Sequence, residues 1–309
     1  MVMDKLTIGT RGSALALAQT NYVLNLLKKH YPDIMINVKI IKTTGDIQAD
    51  APLHKIGGKG VFLKEIEEAL LQNEIDIAVH SMKDVPLELP IGLSIAAMPQ
   101  REDPRDAFIC KIDDGWHKLP ADSIVGTSSL RRSAQILSLR PHWSVKLLRG
   151  NIDTRWKKFE HGDYDAIILA MAGLKRLGLL SEFVYPLEIS EFIPAIGQGA
   201  LGIEVVNDKL DIKKRIDIIN NPNTYICVSA ERIFLKTLGG NCYSSIGAHA
   251  MITDNKIFMI GFVASSDGKE LLCEKITSEN IYLYEQIAME LAEKLISKGA
   301  LNFINNKIE

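Results

Sequence analysis

The chain is poor in cysteine, with only Cys110, Cys227, Cys242 and Cys273 in 309 residues, and their spacing matches no metal-ligand pattern. No metal is expected. It lacks any apolar run long enough to span a bilayer, and no apolar signal region follows Met1-Val2-Met3-Asp4-Lys5. A cytoplasmic protein with reduced thiols is therefore expected. There is no P-loop and no dinucleotide fingerprint, which argues against a phosphate or nucleotide enzyme. Charge of one sign is also missing: 36 Lys and Arg stand against 38 Asp and Glu, giving a net charge of −2. That balance disfavours a general binder of nucleic acid or membrane surfaces, so any cationic site must be local.

With 47% hydrophobic residues the chain can bury a sizeable core, and its length exceeds that of a usual single domain. Two or three domains are expected. A local cationic site is visible between Gly126 and Glu160, where Arg131, Arg132, Arg140, Lys146, Arg149, Arg155, Lys157 and Lys158 face only Asp153 and Glu160. Lys157 and Lys158 read as a solvated helix face. Arg131, Arg132 and Arg149 lie beside glycines or loops, where arginine suits bidentate recognition of carboxylate or phosphate.

The organising stretch is Val79-His80-Ser81-Met82-Lys83-Asp84-Val85-Pro86. Ile75, Ile77 and Val79 favour a strand, and Pro86 blocks helical continuation. Lys83 and Asp84 then fall just past the carboxyl end of that strand, where open α/β sheets place their ligands. A solvated surface pair is the plain alternative.

Leu6 to Gly9 reads as a buried strand and Ala14 to His30 as a helix, joined by Thr10-Arg11-Gly12-Ser13 with Ser13 as N-cap. That turn is either an anion site or a plain connection. Ile36 to Ile41 reads as a second strand, and Lys55-Ile56-Gly57-Gly58-Lys59-Gly60-Val61-Phe62 as a cationic loop, either a lid or ordinary surface, before a helix over 63–73. Pro99 to Pro104 resembles a linker, after which the pattern repeats. Ile124 to Arg132 echoes Ile8 to Ser13, and the run carrying Asp165 and Met171 echoes the one carrying Asp76 and Met82. Two α/β domains of similar plan, with a cleft between them, are expected. From about Pro222 a helix, three strands with turns at Asp254-Asn255 and Asp267-Gly268, and a helix stopped by Gly299 form a small α+β domain.

Cys110, Cys227 and Cys273 fit buried packing. Cys242 does not, because it lies in the polar loop Leu238-Gly239-Gly240-Asn241-Cys242-Tyr243-Ser244-Ser245, where a thiol is either reachable and reactive or exposed and inert. No histidine is placed as its evident partner, and His80 is read as making a structural hydrogen bond.

Taken together, Val79 to Pro86, Gly126 to Arg132, the loop around Lys59 and the loop cysteine Cys242 resemble the porphobilinogen deaminase (hydroxymethylbilane synthase) family over nearly the whole chain. The resemblance implies an α/β fold of two type II periplasmic-binding-protein-like domains, at 1–99 with 200–217 and at 104–194, plus a small α+β C-terminal domain at 220–309. It implies a cytoplasmic, monomeric transferase of haem biosynthesis that joins four porphobilinogen molecules head to tail with loss of ammonia. The primer would be a dipyrromethane cofactor held by a thioether to Cys242. Asp84 is implied as the catalytic carboxylate, stabilising positive charge near the ring nitrogens. Arg11, Ser13, Gln19, Lys55, Lys59, Phe62, Ser81, Lys83, Thr127, Ser128, Ser129, Arg131, Arg132, Arg149, Gly150, Arg155, Arg176 and Gln198 match cofactor- and substrate-binding positions. No nucleic-acid or membrane partner is implied. The chain departs from the family pattern at Val206, where arginine is frequent, and around the cysteine, where Asn241 replaces glycine and Tyr243-Ser244-Ser245 replaces Gln-Val-Pro. The competing reading is a non-catalytic two-lobed protein that binds a small carboxylate.

Overall fold

The computed structural model describes residues 5–47, 63–113, 115–240, 244–265 and 267–304. It comprises two compact units, Met1–Glu102 with Ala200–Tyr225, and Asp103–Gly199 with Ile226–Glu309. The first contains β1 (Lys5–Thr10), α1 (Ala14–His30), β2 (Met35–Ile40), α2 (Thr44–Ile47), α3 (Lys64–Leu71), β3 (Ile77–Ser81) and β4 (Leu93–Ala97). The second takes up β5 (Asp106–Cys110), β6 (Ile124–Gly126), α4 (Leu130–Leu139), β7 (Ser144–Lys146), α5 (Ile152–Glu160), β8 (Ala166–Ala170), α6 (Met171–Leu177) and β9 (Val184–Pro186). The chain then rejoins the first sheet with β10 (Leu201–Val206) and α7 (Leu210–Ile216). It ends with α8 (Pro222–Thr237), β11 (Ile246–Thr253), β12 (Lys256–Ala264), β13 (Leu271–Ser278), α9 (Tyr284–Ser297) and α10 (Leu301–Ile304).

The two five-stranded sheets share one plan. Their orders are β2-β1-β3-β10-β4 and β7-β6-β8-β5-β9. In each, three parallel strands are followed by an antiparallel strand that the chain supplies from a distant segment. These are the two α/β domains of similar plan expected from the sequence, accompanied by the small C-terminal sheet domain.

The sequence echo has a physical basis in both sheets. The Asp76 carboxylate accepts a 2.7 Å hydrogen bond from the Thr7 amide, and the Asp165 carboxylate accepts one of the same length from the Ile124 amide. Each acid thus bridges the start of the third parallel strand to the first. Met82 and Met171, which follow those third strands, donate their amides to Ala200 and Arg105 just ahead of the inserted antiparallel strands.

Local chemistry sets the ends of these elements. The Ser13 hydroxyl caps α1 by accepting from the Ala16 amide, while Lys28, Lys29 and His30 complement the dipole in its last turn. Around β3, the buried residues Leu6, Ile8, Val23, Leu27, Ile77, Val79, Ile203 and Val205 make one core face.

In the C-terminal sheet, Asp254 and Asn255 both adopt positive φ (51° and 58°), as a two-residue hairpin requires between Thr253 and Lys256. Gly299, at φ 95°, ends the helix that precedes it. Phe262, Ile260 and Ala264 of β12 pack on Ala134 of α4 and on Ile193, so this sheet and the second α/β sheet form one unit. Cys110 and Cys227 are buried, but Cys273 is exposed, which corrects its expected burial. Its strand, β13, is the sheet edge; Cys273 pairs with Phe262 in register, one strand further out than the β12 surface covered by α4.

Gly247 lies where this sheet meets the segment before β10: a Cβ there would sit 2.7 Å from the Pro194 carbonyl oxygen, a backbone atom with little freedom to retreat. Gly247→Ala is expected to cost about 1–3 kcal/mol, read as a lower denaturation midpoint with unchanged slope.

Candidate active site

In the first unit, the predicted residues gather at the carboxyl ends of β1 and β3, which are parallel and end on the same side of the sheet. Arg11 and Ser13 occupy the turn after β1 and are half-buried. Beyond β3 the chain closes a 3-10 turn, Met82–Asp84, because Pro86 prevents a longer helix and Val85 is already extended. Met82 is buried beneath the turn, Lys83 is half-buried and Asp84 is exposed. Gln19 donates from its side-chain amide to the Ser81 hydroxyl at 2.7 Å, tying α1 to the end of β3. The chain therefore presents one carboxylate at the tip of its central strand, flanked by a lysine and held from below by an apolar anchor.

In the second unit, β6, β7 and β8 run parallel and their carboxyl ends carry the other predicted residues. Thr127 accepts from the Ser129 amide through its hydroxyl, and Ser129 caps α4 by accepting from the Arg132 amide. Ser128 is exposed. Gly150 adopts φ 106°, and its carbonyl accepts from Arg155 Nε at 2.7 Å, which fixes that guanidinium against the turn holding Arg149. Arg176 donates to the Gly199 carbonyl at 2.8 Å. Lys55, Lys59, Phe62 and Cys242 lie outside the described residues.

Arg131 and Arg132 are buried, and both turn to Asp106, a residue that sequence reasoning passed over. Arg131 Nη1 lies 2.7 Å from Asp106 Oδ2, and Arg132 Nη2 lies 2.7 Å from Oδ1. Arg131 also donates to the Ile193 carbonyl and Arg132 to that of Ile168, while Gln198 donates to Asp106 and to the Pro104 carbonyl. Burial alone would raise the Asp106 carboxyl, but the two guanidinium charges outweigh it and hold it at about 2. The only signal in the sequence was an acid opening an otherwise apolar strand.

This donor set fits the dipyrromethane group that the sequence implies. Two guanidinium charges face one carboxylate, leaving one net positive charge, and Arg131 Nε is buried without a partner among the described residues. A ligand carboxylate would answer both. Half-buried Arg149 and Arg155 and the hydroxyls before α4 add donors of the same kind.

Val206 is explained by packing. It ends β10 against the cluster of Ile66, Leu70, Ala78 and Leu93, so an apolar side chain completes that core. His80 makes the structural hydrogen bond expected of it, with Nε2 at 2.9 Å from Glu204 Oε2.

Asp106→Asn would leave two buried guanidinium groups facing a neutral amide and is expected to cost about 3–5 kcal/mol in chemical denaturation. Because the native carboxyl is held below its ordinary 3.8, its stabilisation is present above that pH and is lost as pH falls towards about 2. The acid limb of the stability curve should flatten in the variant.

Comparison with known proteins agrees with the geometry. Residues 6–214 match the family model described as "Porphobilinogen deaminase, dipyromethane cofactor binding domain", and residues 225–297 match "Porphobilinogen deaminase, C-terminal domain". The chain is 48% identical over 299 residues to the porphobilinogen deaminase of Lawsonia intracellularis, covering 96% of each chain. It is 46% identical to that of Thiobacillus denitrificans, over 96% of this chain and 97% of the relative. The chain belongs to the porphobilinogen deaminase family.

Proposed function

We propose that the chain is a transferase that joins four porphobilinogen molecules head to tail into hydroxymethylbilane, releasing ammonia at each step, with Asp84 as its catalytic carboxylate and Cys242 as the thioether-bearing residue. The observation that carries this reading is the position of Asp84: exposed, beside Lys83, at the tip of the central strand β3. A carboxylate there can stabilise the positive charge that develops on the substrate pyrrole as ammonia departs, and can accept the proton released when the new bond forms. Lys83, Arg11 and Ser13 supply donors for the acetate and propionate of the incoming substrate at the same strand ends. Arg131, Arg132, Arg149 and Arg155, with Thr127, Ser128 and Ser129, bind carboxylates of the primer and growing chain, and Arg176 with Gln198 serves the incoming substrate. When bound, the dipyrromethane supplies the nucleophilic ring carbon.

Cys242 matches the attachment position that the family resemblance implies, and the three other thiols do not suit that role. Cys110 and Cys227 are buried, burial pushes the Cys110 thiol up, and Cys273 lies on a sheet edge. No helix among the described residues is long and apolar enough to cross a membrane. We place the enzyme in the cytoplasm as a monomer, as the family resemblance implies.

Asp84→Asn is expected to keep the thermal midpoint and lower turnover by about 10²–10⁴; near-normal turnover would remove the assignment. Intact-mass measurement should find the native chain heavier than its sequence by one dipyrromethane and Cys242→Ser without that increment. An unmodified native chain would refute the attachment.

A further inference from the structure

On the face of the first sheet that α3 covers lie three titratable groups for which the reaction above has no use. Glu204 of β10 is fully buried and His80 of β3 nearly so, with Glu204 Oε2 paired to His80 Nε2 at 2.9 Å. Glu67 of α3 is also buried and feels the charges of both. Glu67 Oε1 and Glu204 Oε1 are both buried without a hydrogen-bond partner among the described residues. Two ionised carboxylates are acceptors only and would leave both oxygens orphaned at considerable cost. A proton on one, if directed to the other, would satisfy both. Since Glu204 already receives a bond from His80 while no donor reaches Glu67 Oε1, Glu67 is the acid that carries it.

The second unit shows that the fold does not demand these residues. The spacing that takes Asp76 to Asp165 and Met82 to Met171 takes His80 to Leu169 and Glu67 to Trp156. Glu204 pairs with Ala78, and the corresponding pair in the second sheet is Ile109 with Ile167. Ile109, Leu169 and Trp156 belong to one apolar cluster. The same plan is thus stable with a hydrocarbon face, and only the sheet that ends in Asp84 replaces it with ionisable groups.

We propose that Glu67 is held as the neutral acid and donates to Glu204, so that Glu67, Glu204 and His80 act as one hydrogen-bonded unit that seats the end of β3, and with it the Met82–Asp84 turn, beneath α3. They are positioning residues: Ser81 and the turn follow His80 directly, and a change of charge under His80 shifts the strand on which Asp84 stands. Among the described residues no group of His, Cys, Asp and Glu could hold a metal ion, so metal binding does not account for the cluster.

Burial pushes the Glu67 carboxyl up to about 7; Glu204 adds to the rise and His80 opposes it. α3 packs on β1, β3 and β10. The groups acting on Glu67 are Glu204 from β10, His80 from β3 and Glu68 on α3 itself, and β1 offers only Lys5 at its N-terminal end. Because the folded value lies above the ordinary 4.5, this group's contribution to stability is complete below that pH and is lost as pH rises through about 7.

The test uses the cofactor-loaded enzyme and its Glu67→Gln, Glu67→Leu and Asp84→Asn variants. Infrared difference spectra should show a carboxylic-acid carbonyl band in the native enzyme that disappears around pH 7 and is missing from Glu67→Gln. Glutamine keeps the donor, so turnover below that midpoint should stay within about threefold of native and lose its alkaline fall, whereas Glu67→Leu, which orphans Glu204, should lower kcat about tenfold with little change in KM. The kinetic arm rests on Asp84 acting as assigned above, but the infrared band does not: Asp84→Asn should retain it, so the two ideas fail separately. A native enzyme without a titrating acid band, a Glu67→Gln enzyme that keeps the native alkaline fall, or equal kcat for the Gln and Leu variants would overturn the proposal.

Discussion

The constraint on which the first unit depends is the insertion of β10, antiparallel, against the edge of β3. A parallel strand whose outer edge stayed open would end in unpaired backbone groups, and its terminal turn would have no fixed seat. β10 closes that edge, pairing Leu201 with Ser81 and Gly202 with His80, and the Met82 amide is taken up by Ala200. Gly202 keeps this point clear: a Cβ there would lie against the Met82 sulfur that anchors the turn from below, and that side chain would have to shift. The exposed position of Asp84 follows from these backbone bonds. It is supplied by a segment more than a hundred residues away in sequence, which makes the unit a product of long-range pairing and not of a local motif.

Both units bury charge, and they do so in different ways. In the second, Asp106 neutralises one of two adjacent guanidinium groups and leaves the other's charge for a ligand. An ion cluster of this kind is a poor source of stability compared with hydrocarbon of the same volume, and an expensive one to break. Its presence on a face whose surroundings are apolar points to recognition of anions as its reason. In the first unit the buried ionisable groups are two acids and an imidazole, Glu204 paired with His80 and Glu67 beside them. Each domain has therefore departed from a common apolar plan in its own way, and on the proposed assignment both departures suit the reaction: surplus positive charge where carboxylates would be held, ionisable support where positive charge would develop.

Much of this was legible in the residues. The strand-end position of Lys83 and Asp84, the cap at Ser13 and the hairpin at Asp254-Asn255 all rest on local chemistry, which a linear reading captures. The echo of Asp76 in Asp165 was visible as a weak pattern and proves to be the same side-chain bridge made twice. The partners of buried charges were not legible. Asp106 is separated by 26 residues from Arg132, and His80 by 124 from Glu204, and no periodicity announces such pairs. Nor could alternation along β13 tell that Cys273 stands on an edge, because a period of two fixes which residues share a face and not what covers it.

On the proposed assignment of Asp84, the duplicated plan also accounts for how one carboxylate could serve repeated condensations. A carboxylate on a mobile loop would lose its orientation between turnovers and would have to regain it each time. Asp84 instead stands on a turn fixed by β10 through Ala200 and by α1 through the contact of Gln19 with Ser81, and α3 packs on the strand that carries it, through the proposed cluster beneath His80. The second sheet has the first of these supports at Met171 but builds the face beneath Leu169 from hydrocarbon. Packing alone positions a strand end well enough for binding. If Asp84 is the catalytic carboxylate, the proposed hydrogen-bonded support under β3 lies where the geometry of one oxygen atom decides a rate, because there a small displacement costs far more than it would for a carboxylate held by several arginines.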